Sequence, residues 1–216
     1  MARRAPDLLA RGPWRAEQVE ARWREDEFQP PPELTARADA AVEALRRRGS
    51  PCHDGVSARL AGFDADDGAL RLELQPARWA LRLVEGDTAG SLTALCVVRS
   101  EDGRWLAGRR AAWLSTWAGR WALGAGGAVD VGESPADTLT RELHEEWQLT
   151  PERLTVEALV ALPAGLTMLV GVATVRDSAQ PIPDDEHDEF AWWPSDVGGW
   201  PEEADTRLRL MGSLLA

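Results

Sequence analysis

Gly127 to Leu149 reads GAVDVGESPADTLTRELHEEWQL, and the order of residue types in this stretch decides the fold. Ser134 followed by Pro135 and then Asp137 is the pattern of a helix N-cap, a proline at the first helical position and an acid closing a capping box. A helix is predicted to start there. Along it Leu139, Leu143 and Trp147 recur at every fourth residue and make a buried stripe, whereas Glu142, Glu145 and Glu146 share another face. Like charges this close destabilise a bare helix by a few tenths of a kcal/mol per neighbour, and by more when partly buried; a divalent cation reverses the sign. Oxygen-only ligands at this density suit Mg²⁺ or Mn²⁺, and neither a paired cysteine spacing nor a compact histidine cluster favours zinc. Arg141 precedes the first of these acids and Glu133 lies just before the helix, so an arginine can orient a carboxylate near the metals. Gly126 and Gly127 allow backbone carbonyls and amides to approach closely, as a phosphate-and-metal site requires.

Composition narrows the chemistry around this helix. The chain has 216 residues, 44% hydrophobic and 28% charged, with a net charge of −12, enough for one well-buried domain or a domain with a substantial arm. It contains no lysine, so all 24 basic side chains are arginines. Walker A phosphate loops, Schiff-base chemistry and the usual pyridoxal phosphate enzymes are thereby excluded. The lack of asparagine excludes N-glycosylation. Strong acidity argues against a sequence-independent grip on nucleic acid, while a small phosphorylated ligand stays available through metal ions held on carboxylates. Cys52 and Cys96 are too few for a disulfide-stapled secreted fold and predict a reducing cytoplasm. No signal-peptide core follows Arg3 and Arg4. The uncharged run Ala158 to Val175 is broken by Pro163 and Gly165 and fits a β-hairpin rather than a membrane span.

Outward from the helix, the period of the apolar residues sets the remaining elements. Trp14, Val19 and Trp23 among many charges predict a short amphipathic helix. After Pro30-Pro31-Pro32, a second helix runs through Leu34, Ala38, Val42 and Leu45 and ends at Gly49. From Val56 the period becomes two, and the turn Asp64 to Gly68 leads into Leu70, Leu72 and Leu74, which is a hairpin with one wet face. Ala94 to Val98 and Trp105 to Gly108 form a further strand pair. Trp113, Trp117 and Trp121 then fall in an irregular loop leading to a short strand; one or two could stack on a base, although a core role is the simpler reading for any single one.

Gly127, Glu133, Arg141, Glu142, Leu143, Glu145, Glu146 and Leu149 together resemble the Nudix hydrolase signature: a glycine, five residues, a glutamate, seven residues, then Arg-Glu-apolar-any-Glu-Glu-any-Gly-apolar. Gln148 departs from it by standing in place of the second glycine. The resemblance implies an α/β/α sandwich with a mixed sheet over residues 91–216, preceded by a helical and β-hairpin N-terminal extension over 1–90. It implies hydrolysis of a nucleoside diphosphate linked to another group, with Mg²⁺ or Mn²⁺ as cofactor. Glu142, Glu145 and Glu146 would hold metal, Glu142 would also be a base, Arg141 would orient Glu142, and a carbonyl of Gly126 or Gly127 would complete the shell. Relatives add a later acid, for which Glu186 is preferred over Glu189. His144 lies between the acids on the helix and is expected to point away from the metal face; His53 and His187 have no identifiable partners.

The helix, hairpin and Trp79 region resembles the extension of a Nudix subgroup that cleaves UDP-glucose and UDP-galactose, so a nucleotide sugar is the expected substrate. ADP-ribose follows, from the position of Pro163; a nucleotide-binding sensor or scaffold is the non-catalytic alternative. The expected partner is a small phosphorylated nucleotide, with no nucleic acid and no membrane. The extension can serve as the arm of a homodimer, a lid or a substrate wall.

Overall fold

A computed structural model describes residues 7–50, 54–66, 68–84, 89–114, 116–162 and 165–216. The strand β5 (Leu92–Ser100) is apolar on both faces and lies inside the main sheet. Its even positions Leu92, Ala94, Cys96 and Val98 join one buried cluster. Val97 joins another on the opposite face. β10 (Thr167–Val175) runs parallel to β5 along its whole length. β9 (Arg153–Ala161) pairs antiparallel with β10 on the far side, as the Ala158 to Val175 run predicts. Pro163 and Ala164 of the connecting turn lie outside the described residues.

The other edge of β5 is divided. β8 (Ala125–Ala128) covers its first half, while β6 (Trp105–Arg110) meets it only at Arg99. β7 (Trp121–Leu123) and β11 (His187–Trp193) flank β6. The chain passes from β7 to β8 through Gly124, at φ +64°, where a Cβ would overlap the carbonyl of Cys96. Only glycine fits that crossing.

The helix α2 (Pro135–Trp147) forms as its sequence predicts, with the Ser134 hydroxyl accepting from the amide of Ala136 rather than from that of Asp137. Leu139, Leu143 and Trp147 are fully buried against the main sheet. The opposite face of the sheet is covered by Trp200 and Leu208, the latter on α3 (Thr206–Leu215). The architecture is an α/β/α sandwich with a mixed sheet.

The N-terminal segment departs from expectation. No helix forms around Trp14, Val19 and Trp23: β1 (Asp7–Arg15) adds to β9 in the main sheet, a 3-10 turn follows, and β2 (Val19–Trp23) pairs parallel with β4 (Leu70–Arg78). Ala10 and Trp14 are buried on one side of β1, a pairing chosen by a partner some 140 positions away rather than by local helical periodicity. The helix α1 (Pro32–Arg47) and the hairpin of β3 (Val56–Ala65) with β4 form as predicted. Leu70, Leu72 and Leu74 of the hairpin join the same core as Leu139 and Leu143. α2 is thereby held between the eight-stranded sheet and the small sheet β2-β4-β3. Among the described residues, no helix is long and apolar enough to cross a membrane.

α2 ends at Gln148, which adopts φ +52° and ψ +32°. A side chain in the left-handed region costs about 1 kcal/mol relative to glycine. Gln148→Gly is therefore expected to stabilise the protein, raising Tm by roughly 2–4 °C in a thermal melt; an unchanged or lowered Tm would show that Gln148 is not strained.

Candidate metal and phosphate site

Arg141 is the hub of the site, because each of its five N–H donors has an acceptor. Nε and Nη2 grip the two oxygens of Glu133 at 3.0 and 3.1 Å. Nη1 donates to Glu142 at 2.7 Å and to Glu145 at 3.0 Å, and Nη2 donates also to the carbonyl of Ala128 at 3.2 Å. Glu133 is itself fixed by the hydroxyl of Thr138 at 2.7 Å, and its backbone carbonyl accepts from the Trp23 indole at 3.2 Å. Burial acts to raise the Glu133 carboxyl, but the hydrogen bonds from Arg141 and Thr138 leave it below its ordinary value.

Glu142 and Glu146 stand one turn apart and face the glycine loop. A Cβ at Gly127 would lie 2.5 Å from Cδ and 2.6 Å from Oε2 of Glu142, so the absent side chain is what admits this carboxylate. Glu146 Oε1 accepts from the amide of Gly126 at 2.7 Å. Its Oε2 is buried with no hydrogen-bond partner among the described residues. Burial lifts the Glu142 carboxyl to about 7 despite Arg141, with the charges of Glu145 and Glu186 adding to the effect. Burial also lifts Glu146 well above the carboxylate range, opposed by the Gly126 amide and reinforced by Glu142 and Glu186. Glu145 is more exposed and is held by Arg141.

Glu186 lies in the loop before β11. Glu186 pairs with Arg110 at 3.0 Å, and its charge acts on both Glu142 and Glu146. Glu189 pairs with Arg109 at 3.0 Å and acts on neither. His187, predicted to have no partner, is buried, stacks on Trp147 with ring centroids 4.4 Å apart, and lies 3.3 Å from Asp184 and 3.7 Å from Glu146 Oε2. Trp147 and Glu146 come from a helix some 40 positions earlier, whereas Asp184 is local; only the density of acids around His187 hinted at a role. His144 is exposed on α2, as expected; His53 lies outside the described residues. Trp113 and Trp117 are half-exposed rather than core.

Among the described residues, no three His, Cys, Asp or Glu groups converge closely enough to enclose a metal ion as they stand. Arg141 and Arg110 hold the carboxylates of Glu142, Glu145 and Glu186. The donor set nevertheless fits a hard cation: it is all oxygen, it carries more acids than arginines, and it includes one buried carboxyl oxygen with no hydrogen-bond partner among the described residues.

A titration follows. A carboxyl whose folded value is about 7 against an ordinary 4.5 holds its proton more tightly in the folded chain, so the associated stability is present below pH 4.5 and lost as pH rises toward 7. The metal-free protein is expected to lose Tm across that window and to regain it with millimolar Mg²⁺, measured by thermal melts in EDTA and in Mg²⁺. A flat profile in EDTA would contradict the burial of these charges.

A family model described as NUDIX domain matches residues 91–209, more than half of the chain. The chain belongs to the Nudix family. Its enzyme class is that of the Nudix hydrolases, and the matched residues include the stretch from Gly127 to Leu149. A search of curated proteins finds no match. Among solved structures, a MutT protein from Methanosarcina mazei Go1 is 25% identical, covering 57% of this chain and 90% of its own, with a TM-score of 0.47. A C. elegans Ap4A hydrolase is 23% identical over 57% of this chain and 92% of its own, with a TM-score of 0.45. The NUDIX domain of Shewanella oneidensis NrtR, solved with ADP ribose, is 19% identical over 58% of this chain and 88% of its own, with a TM-score of 0.42.

Proposed function

We propose that this Nudix hydrolase cleaves the diphosphate of a nucleoside diphosphate linked to another moiety, with a nucleotide sugar such as UDP-glucose as its substrate and Mg²⁺ or Mn²⁺ as its cofactor. The observation that carries this reading is the arrangement of Glu133, Glu142 and Glu145 around one fully used arginine, beside a buried Glu146 oxygen without a partner. Glu142, Glu145, Glu146 and Glu186 would hold the cation together with a carbonyl of the Gly126-Gly127 pair. When bound there, a divalent cation supplies neutralisation of the diphosphate and activation of water. Arg141 sets the rotamers of Glu142 and Glu145 so that neither swings into solvent. Glu142, whose carboxyl is lifted to about 7, accepts the proton of the attacking water near neutral pH. Water oxygen bonds to phosphorus, the bridging P–O bond breaks, and two phosphorylated products leave.

The domain division follows the same reading: residues 91–216 carry the chemistry and 1–90 form an extension that shares its core. A reducing cytoplasm, and a second copy of the chain as partner, belong to the same proposal.

A screen of nucleotide sugars, ADP-ribose, dinucleoside polyphosphates and nucleoside triphosphates with Mg²⁺, read by release of phosphorylated products, tests it. UDP-sugars are expected to give the highest kcat/KM. Preference for ADP-ribose would replace the substrate and keep the chemistry, whereas tight nucleotide binding with no turnover of any compound would support the sensor reading.

A further inference from the structure

We infer that His187 is a positioning residue for Glu146: its imidazole, fixed between Trp147 and Asp184, holds the Glu146 carboxylate in the orientation that receives a divalent cation. This rests on the functional reading above, in which Glu146 is a ligand of that cation.

The loop before β11 is keyed to the last turn of α2. A helix leaves its final carbonyls without intrahelical partners, and here the amide of Asp184 donates to the Glu146 carbonyl at 2.9 Å while that of Ile182 donates to the Trp147 carbonyl at 2.9 Å. Asp184 Oδ1 accepts from the amide of Glu186 at 3.0 Å, and the Asp184 carbonyl accepts from the amide of His187 at 3.3 Å. The chain is thereby turned so that His187 meets the helical turn that carries Glu146. Its side chain is 1% exposed and its ring stacks on Trp147 with centroids 4.4 Å apart. Gly108 of β6 makes the room: a Cβ there would lie 2.5 Å from Cδ2 of His187 and 2.7 Å from the Trp147 ring. The imidazole occupies a slot built by β6, α2 and the loop together.

Within that slot both ring nitrogens meet a carboxyl group. Nδ1 lies 3.3 Å from Asp184 Oδ1, and Nε2 lies 3.7 Å from Glu146 Oε2. The terminal torsion of a glutamate is broad, so a carboxylate anchored at one oxygen can still turn about that anchor. Glu146 is anchored at Oε1 by the Gly126 amide at 2.7 Å; Oε2 is the buried oxygen with no hydrogen-bond partner among the described residues. The His187 Nε2 stands at that oxygen, roughly 0.5–0.8 Å beyond hydrogen-bond length, a gap that a small turn of the carboxylate closes. With a nitrogen against each oxygen, Glu146 offers its remaining lone pairs in one orientation, and a ligand ordered beforehand binds a cation more tightly than one the ion must order. A packing role against Trp147 needs only the ring. The positioning role needs Nε2.

Two variants of the full chain pull these roles apart, each followed by Mn²⁺ titration and by a thermal melt in EDTA. His187→Phe keeps a ring on Trp147 and removes both nitrogens; His187→Gln loses the ring and keeps an amide nitrogen that can reach Oε2. His187→Phe should weaken Mn²⁺ binding about 10-fold or more, and His187→Gln should stay within about threefold of wild type. The metal-free Tm should run in the opposite order, with the phenylalanine variant the more stable. In wild-type protein labelled with ¹⁵N-histidine, which needs no variant of His187 to fold, the Nε2 resonance of His187 should shift on addition of Mg²⁺, the other two histidines being assigned with His53→Gln and His144→Gln. Wild-type Mn²⁺ affinity in His187→Phe, affinities that follow the Tm order, or an Nε2 resonance unmoved by Mg²⁺ would each overturn the role of His187 and leave the metal site intact. A wild-type protein that binds no Mn²⁺ saturably would remove both.

Discussion

Glu146→Gln is expected to lower kcat by about 10²-fold or more and at the same time to raise the Tm of the metal-free protein above pH 5. The two effects have one cause. Glu146 is buried, its carboxyl is pushed well above the ordinary range by that burial, and one of its oxygens has no hydrogen-bond partner. In the unfolded chain it ionises near 4.5, so each pH unit between the unfolded and folded values removes about 1.4 kcal/mol of stability. Glutamine keeps the shape and the acceptor for the Gly126 amide but carries no charge, so this loss disappears together with the ligand. Kinetics and melts of the same variant, in EDTA, separate the readings. Lost activity with a lowered Tm would mean that Glu146 is a structural acid, and retained activity would exclude it from the metal shell.

Arg141→Ala is expected to be damaging in both respects. It removes five hydrogen bonds, to Glu133, Glu142, Glu145 and the Ala128 carbonyl, and leaves two partly buried carboxylates without a cation. Breaking partly buried pairs on one side costs about 3–5 kcal/mol, and kcat should fall by about 10²-fold or more because Glu142 and Glu145 are no longer aimed. Arg141→Lys keeps the charge but has three donors on one nitrogen, too few and too close together for four acceptor groups. Its stability should lie between the two, while its kcat should remain near that of the alanine variant. Full activity in the lysine variant would show that charge alone, and not the fork, is required.

The Nudix box was legible in the sequence because its chemistry is local: caps, stripe and acids all lie within a few helical turns, where side-chain spacing translates directly into position. The hairpins at Val56 to Leu74 and Ala158 to Val175 were legible for the same reason, since alternation and turn residues are neighbours in the chain. The segment from Trp14 to Trp23 was not. Its strands are selected by β9 and β4, and no periodicity within the segment announces an edge position in a distant sheet. His187 was hidden in the same way, because the groups that bury it, Trp147 and Glu146, arrive through the fold. The different surroundings of Glu186 and Glu189, one pairing with Arg110 and adding its charge to Glu142 and Glu146, the other pairing with Arg109, are set by the fold, and the acid-rich loop does not reveal them. Gln148 shows the converse: it stands where the resembled signature has a glycine, and the backbone keeps the left-handed conformation there.

The central claim is that Glu142 and Glu146 form a cradle for divalent cations, and Mn²⁺ titration followed by electron paramagnetic resonance tests it most directly. Wild type is expected to bind Mn²⁺ saturably with submillimolar affinity, with Mg²⁺ competing, and Glu142→Gln and Glu146→Gln are each expected to weaken that binding by about 10-fold or more. Mn²⁺ binding left unaltered by both substitutions, or hydrolysis that proceeds at full rate in EDTA, would contradict it.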